Sequence, residues 1–343
     1  MTSRVRIIDT TLRDGSHAVS HQFTPEDMAE VARGLDRAGV DTIIIGHGDG
    51  QGGSSIQYGR AAASDAEYLR AVSKVLTHTK LGVLLLPGIG TVKDLEVALE
   101  NGLKVVQIAT HCTEADISEQ HMHWSKRQGL EVIGFLMMAH MEPVEVLLGQ
   151  AKLMESYGAD IVYITDSAGA MLPGDVKEKV GAFVSELSCR VGFHAHNNLG
   201  LAVGNTLTAI EAGASVTDGC LRGLGAGAGN TQTEVLAHAL DRLGIETGID
   251  LDAILDVAEK VLEPLMRRPQ VIDNASIMLG YAGVYSSFLL HTYRQAERFN
   301  VNPREVLIEL GRRKTVGGQE DLIIDVAAEF ARRRSAGSRP VSL

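Results

Sequence analysis

The sequence predicts an α/β chain in which a closed (β/α)8 TIM barrel precedes a smaller C-terminal helical domain. Three observations carry that expectation. A short apolar run, a glycine or polar turn and an amphipathic helix recur eight times along the first 250 residues. Most of the apolar runs are β-branched or leucine-rich and lack strict alternation, as expected of strands covered on both faces. Beyond residue 250 the pattern turns helical, with no further strand between the helices.

The expected strands are 5–8, 40–45, 81–86, 105–109, 132–138, 161–164, 191–195 and 215–220. The first helix, 25–38, has Thr24 as N-cap, Pro25 in its first turn and Gly39 at its end. Helices at 65–75, 92–101, 118–128, 144–157, 174–187, 201–212 and 231–243 follow. Several stop at a glycine (Gly102, Gly129, Gly158, Gly213) suited to a left-handed cap. An open doubly wound sheet is the competing arrangement, but no glycine fingerprint opens the first βα unit. The expected domains are a catalytic barrel over 1–249 and a helical domain over 250–334, the latter a candidate partner interface. An Arg/Ser/Pro-rich tail at 335–343 is expected to fray.

The chain of 343 residues is 45% hydrophobic and 22% charged, which excludes a disordered or fibrous protein. Lys and Arg total 32 against 43 Asp and Glu, a formal charge of −11. That balance argues against nucleic-acid or anionic-membrane binding, though a local arginine can still hold a carboxylate. Cys112, Cys189 and Cys220 are too few for a disulfide framework and favour a reducing compartment. With no signal-like apolar run and no stretch approaching the ~18 residues of a membrane span, a soluble, cytoplasmic protein is expected.

Barrel chemistry sits at the C-terminal ends of the strands. The first strand runs into Asp9-Thr10-Thr11-Leu12-Arg13-Asp14-Gly15-Ser16-His17. Asp14 can ligate a divalent metal, Arg13 can clamp a carboxylate or stabilise an enolate oxygen, and His17 can move a proton near neutral pH. An Asp–Arg pair that merely pins the loop is the plainer alternative. The seventh strand ends in His194-Ala195-His196, two imidazoles that face one way on an extended strand. With Asp14 they make a mixed N/O ligand set with open positions, suited to a catalytic metal. No thiolate selects a soft ion, so Mn²⁺, Mg²⁺, Co²⁺ and Zn²⁺ all stay open.

Other strand ends supply weaker candidates. Leu84 and Leu86 can wall a substrate pocket or simply fill the barrel. Ser167 can donate to a carboxylate, and Asp166 can orient a histidine, or both can cap the next helix. The loop Gly223–Asn230 is rich in glycine but lacks the Gly-Lys-Ser/Thr of a phosphate loop. One tyrosine of the string Gly280-Tyr281-Ala282-Gly283-Val284-Tyr285 can reach substrate, or the string can be core.

Taken together, these strings resemble the 4-hydroxy-2-oxovalerate aldolases, class II pyruvate aldolases of aromatic-hydrocarbon catabolism. The resemblance rests on 9–17, Leu84-Leu85-Leu86-Pro87-Gly88-Ile89-Gly90, Ala109-Thr110-His111-Cys112-Thr113-Glu114-Ala115-Asp116, Phe135-Leu136-Met137-Met138, 152–159, 194–199 and 280–288. It spans about residues 4–330. The first loop and the paired histidines alone would indicate only the wider superfamily shared with 3-hydroxy-3-methylglutaryl-CoA lyase and isopropylmalate synthase.

The resemblance implies that Asp14, His194 and His196 bind a divalent cation, usually Mn²⁺. It implies that Arg13 stabilises a pyruvate enolate, that His17 is the base for a C4 hydroxyl, and that Tyr285, rather than Tyr281, positions groups in the pocket. Leu84, Leu86, Ser167 and His194 are implied to contact substrate. The expected reaction is metal-dependent cleavage of 4-hydroxy-2-oxopentanoate, or a related acid, to pyruvate and an aldehyde such as acetaldehyde. The expected partner is an acylating acetaldehyde dehydrogenase. An acyl-CoA lyase or Claisen-type enzyme on the same barrel, and a non-catalytic scaffold for a dehydrogenase, are the alternatives.

Overall fold

The computed structural model describes residues 4–286 and 288–337. Eight parallel strands close into a ring in chain order: β1 (Arg6–Asp9), β2 (Thr42–Ile45), β3 (Lys80–Leu85), β4 (Val105–His111), β5 (Glu131–Met137), β6 (Ile161–Asp166), β7 (Arg190–Ala195) and β8 (Val216–Gly219). Closure is made by β8 on β1, where Arg6 pairs with Val216 and Asp9 with Gly219. The outer helices are α1 (Pro25–Arg37), α2 (Asp65–Ser73), α3 (Val92–Glu100), α4 (Glu119–Arg127), α5 (Val144–Ser156), α6 (Pro173–Glu186), α7 (Ala202–Glu211) and α8 (Thr233–Arg242). The expected barrel with extra C-terminal helices is the fold observed.

Local signals place these elements. The Thr24 hydroxyl accepts the Asp27 N–H while the Asp27 carboxylate accepts the Thr24 N–H, a reciprocal cap on α1. Ser64 and Glu67 repeat the device at α2. Burial on both faces explains the unbroken apolar strands. One set of side chains packs outward under the helices, and Ile8, Ile44, Leu84, Val105, Ile133, Phe135, Ile161, Tyr163 and Val216 pack inside the ring. At the N-terminal end of the barrel, Arg6 and Arg190 both donate to Glu131 Oε1, at 2.5 and 2.6 Å, and close the floor.

Beyond the barrel, α9 (Leu251–Asp256) runs on through Leu265 and packs Ile254, Val257, Ala258 and Leu262 into the barrel's outer core. The later helices α10 (Asn274–Ala282), α11 (Phe288–Phe299), α12 (Pro303–Arg312) and α13 (Leu322–Gly337) build a separate core from Leu279, Val284, Phe288, Val306, Leu310 and Ile323. These helices sit over the C-terminal strand ends. His140, after β5, bonds the Gly283 carbonyl at 3.1 Å, and Lys314 pairs with Glu142 at 2.8 Å. Of the tail expected to fray, 338–343 lies outside the described residues. Among the described residues, no helix is long and apolar enough to cross a membrane.

The barrel interior is tightly filled where β6 meets β7. A Cβ on Gly192 would lie 2.2 Å from the Tyr163 ring. Gly192→Ala is therefore expected to cost about 1–3 kcal/mol through overpacking. The check is a urea titration, in which the midpoint falls and the slope is unchanged.

Candidate metal centre

The loop after β1 is fixed before it presents any reactive group. Asp9 accepts the Thr11 N–H and the Thr233 hydroxyl, each at 2.9 Å, and Thr11 Oγ1 accepts the Leu221 N–H at 2.8 Å. These bonds tie the loop to the chain that follows β8. A single tight turn, Asp14–His17, then buries Asp14 and Arg13 at the mouth.

Arg13 Nη1 donates to Asp14 Oδ2 at 2.7 Å. The same oxygen lies 3.7 Å from His194 Nε2 and 3.9 Å from His196 Nε2. The ligand atoms these three residues offer all lie within 4.8 Å of one another. Such separations suit donors that share one cation at about 2.1 Å each. Among the described residues, Asp14 Oδ1 is buried with no hydrogen-bond partner, and so are Nε and Nη2 of Arg13. Orphaned buried groups of both signs side by side call for a cation and an anionic ligand together.

The electrostatics agree. Burial alone would raise the Asp14 carboxyl, but Arg13, then His196, His194 and His17, outweigh it and hold the group far below the usual carboxylate range. Burial lowers His196 to about 4 against the pull of Asp14, leaving the neutral imidazole that a metal requires. For His194, burial is outweighed by Asp218, whose carboxylate accepts from Nδ1 at 2.7 Å and raises the ring's pKa. That bond leaves His194 Nε2 turned toward Asp14. The cluster can coordinate a divalent cation. Its mixed oxygen and nitrogen donors, with no thiolate, do not single out one metal.

Asp218 is the residue that sequence reasoning missed. Its signal was a carboxylate inside a short, fully buried strand, β8. Asp166, the expected orienting acid, instead accepts the Ala170 and Met171 N–H groups, at 2.9 and 3.0 Å, at the turn into α6. Register explains the exchange: Asp166 stands opposite Ala195, one position away from either histidine.

His17 lies half-buried on Gly48, where a Cβ would come within 2.5 Å of the imidazole. Its edge meets His21 at a centroid distance of 5.1 Å, and His21 stacks on His47 at 3.7 Å. His17, His21 and Asp49 form a second cluster of potential ligands. His21 Nδ1, however, already accepts the Gly48 N–H at 3.4 Å, so this group reads as a wall that orients His17.

Among the other candidates, Leu84 is buried in the barrel's inner cluster and Leu86 packs on it. Ser167 Oγ accepts the Met138 N–H at 3.0 Å, which leaves its own hydrogen to donate. Tyr285 packs on the helical core, feels Cys112 and Glu114, and makes no side-chain hydrogen bond among the described residues. Tyr281 is 70% exposed. His111 bonds Thr113 and Cys112 is buried, so neither joins the centre.

Asp218→Asn removes the negative charge that strengthens the His194 Nδ1–H bond and raises the basicity of the ring. Metal affinity is expected to fall about 10–100-fold. Calorimetric titration with Mn²⁺ checks this, and an unchanged affinity would separate Asp218 from the centre.

Residues 4–261 match the HMGL-like family model, and residues 270–332 match a DmpG-like communication domain. The chain is 67% identical over 332 residues to a 4-hydroxy-2-oxovalerate aldolase from Carboxydothermus hydrogenoformans, covering 97% of this chain and 99% of that protein. It is 66% identical to one from Pelotomaculum thermopropionicum, covering 96% and 97%. Among solved structures, the N-terminal domain of a putative aldolase from Bacteroides vulgatus superposes with a TM-score of 0.72 at 23% identity, covering 86% of this chain and 98% of that one. A pyruvate carboxylase from Rhizobium etli superposes with a TM-score of 0.80 at 17% identity, covering 97% of this chain but 32% of that one; both likenesses concern the fold alone. With a barrel that matches one family model and relatives alike along nearly the whole chain, this protein belongs to the HMGL-like family and, within it, to the 4-hydroxy-2-oxovalerate aldolases.

Proposed function

We propose that Arg13, Asp14, His17, His194 and His196 together carry the activity of this chain, the retro-aldol cleavage of a 4-hydroxy-2-oxo acid to pyruvate and an aldehyde. The enzyme is a class II, metal-dependent aldolase. The single observation that carries the assignment of residues is the buried meeting of Asp14, His194 and His196 beside an arginine with unpartnered nitrogens.

Asp14, His194 and His196 would hold a divalent cation, which when bound would supply Lewis acidity toward the substrate. His17, lying on Gly48 at the mouth, takes the 4-hydroxyl proton. The C3–C4 bond then breaks, its electron pair passes into the enolate of pyruvate, and C4 leaves as the aldehyde carbonyl. Arg13 is assigned to the oxygen on which negative charge develops, a role supported by its Nε and Nη2, which have no partner among the described residues. A proton returned to C3 completes pyruvate. In this reading Leu84 and Leu86 form the apolar wall for the aldehyde end, and the Ser167 hydroxyl and the Tyr285 phenol are assigned to contact the substrate; the free hydrogen of Ser167 supports its part.

Mn²⁺ is our choice of metal, the native substrate is taken to be 4-hydroxy-2-oxopentanoate, and the setting is aromatic-hydrocarbon catabolism in the cytoplasm. The communication-domain match at 270–332 implies a protein partner. An acylating acetaldehyde dehydrogenase, which would consume the aldehyde, fits that role.

The test is a pyruvate-release assay on 4-hydroxy-2-oxo acids of graded chain length. Chelation is expected to abolish release and Mn²⁺ to restore it best among divalent ions. Arg13→Ala should keep metal binding while kcat falls about 100- to 1,000-fold, the loss expected when one oxyanion-stabilising group is removed. His17→Ala should likewise retain metal and lose turnover. A variant as fast as its parent would remove that residue from the reaction.

A further inference from the structure

The glycine-rich loop after β8 has no part in the chemistry above, yet it borders a cavity. This cavity has a volume of about 180 Å³ and is lined by His17, Gly225, Ala226, Gly227, Arg267 and Arg268. Leu224, also in its wall, covers the turn that carries Arg13 and Asp14; a Cβ on Gly15 would lie 2.8 Å from its side chain. His17 is thus shared: it lines this cavity and also acts on the Asp14 carboxyl of the metal centre.

Two features make the cavity receptive to an anion. Neither Arg267 nor Arg268 forms an ion pair within 4.0 Å among the described residues, in a chain whose formal charge is −11. Arg267 donates instead to the neutral Ser20 hydroxyl at 3.0 Å. Asp273, which feels Arg268, is engaged in capping α10 through the Ser276 N–H and hydroxyl, at 2.8 and 2.9 Å. The second feature is the backbone. The N–H groups of Gly225, Ala226 and Gly227 have no acceptor among the described residues, while their neighbours Leu224, Ala228 and Gly229 are all satisfied. The left-handed turn at Gly227, φ +62°, belongs to the backbone shapes that turn successive N–H groups into an anion-binding concavity. Gln270 holds the loop in place by donating to the Gly225 carbonyl at 2.8 Å.

We propose that Arg267, Arg268 and the free N–H groups of Gly225–Gly227 form an anion-binding vestibule that captures the carboxylate of the incoming substrate beside His17, before it reaches the metal centre. This deepens the functional reading above and rests on it for the identity of the substrate. A small carboxylate fits better than a nucleotide phosphate: the loop carries no lysine and opens no helix dipole of the phosphate-loop kind, and the cavity is small. Two unneutralised guanidinium groups at the mouth concentrate anions there in an otherwise repulsive field, and salt screens that attraction.

The experiment compares parent enzyme, the double variant Arg267→Ala/Arg268→Ala, the charge-keeping double variant Arg267→Lys/Arg268→Lys, and a charge-matched control, Arg70→Ala/Arg127→Ala. Both control arginines are exposed in the last turns of α2 and α4. At low salt, kcat/KM of the alanine pair for 4-hydroxy-2-oxopentanoate is expected to fall about five- to tenfold through KM, with kcat within about twofold of the parent. The lysine pair should recover most of the loss, and the parent and alanine pair should converge as salt rises. If the alanine pair matches the control at every ionic strength, the vestibule is overturned.

A second readout does not need turnover. Saturation transfer to pyruvate is measured by NMR on chelator-treated protein. Signal in the parent that drops to background in the alanine pair supports capture; equal signal in both overturns it. Inorganic phosphate that binds there while pyruvate gives no signal also overturns it. A parent that makes no pyruvate but shows the arginine-dependent signal would sink the reaction assigned to the site while leaving the vestibule standing.

Discussion

A buried carboxylate stays ionised only if something nearby repays its lost hydration, and at the mouth of this barrel that carboxylate is Asp14. Arg13 shares its oxygen Oδ2 at 2.7 Å, and the two imidazoles stand 3.7 and 3.9 Å from the same atom. The Arg13 cation is the largest of the charges that offset burial and keep this carboxylate ionised, ahead of His196, His194 and His17. The remaining Arg13 nitrogens are left free for an anion that comes to the same place. The Arg13–Asp14 interaction helps to keep the site charged.

Ring closure makes that interaction available to the histidines. Asp14 follows β1 and the histidines end β7, with β8 between them; the β8–β1 register sets their common height. Asp218 on β8 stands in the gap and fixes the His194 ring. The bonds from Asp9 to Thr233 and from Thr11 to Leu221 then lock the β1 and β8 loops together. The floor of the barrel is closed by the Arg6–Glu131–Arg190 network and its centre is packed with apolar side chains, so the open end alone is available for chemistry.

The helical unit adds a roof. It touches the loops after β5, β6 and β7 through His140, Gly169 and Leu199, where Gly280 allows close approach. Tyr285 comes from this roof and lies near Cys112 and Glu114 in the chain after β4, where the two units with separate cores meet.

Strand and helix periods, the helix caps and the ligand types all belong to short stretches of chain, and the sequence by itself determined them. Eight apolar runs fixed the barrel because strands covered on both faces leave that mark. His194 and His196 were legible as a pair because their two-residue spacing puts both rings on one side of a strand. What only the tertiary structure decided were relations between distant positions. It gave His194 to Asp218 rather than Asp166, set His17 against Gly48, and brought Arg267 and Arg268 to the loop after β8. The physical reason is that strand register and ring closure set those distances, and neither leaves a periodic trace in the residues that happen to meet.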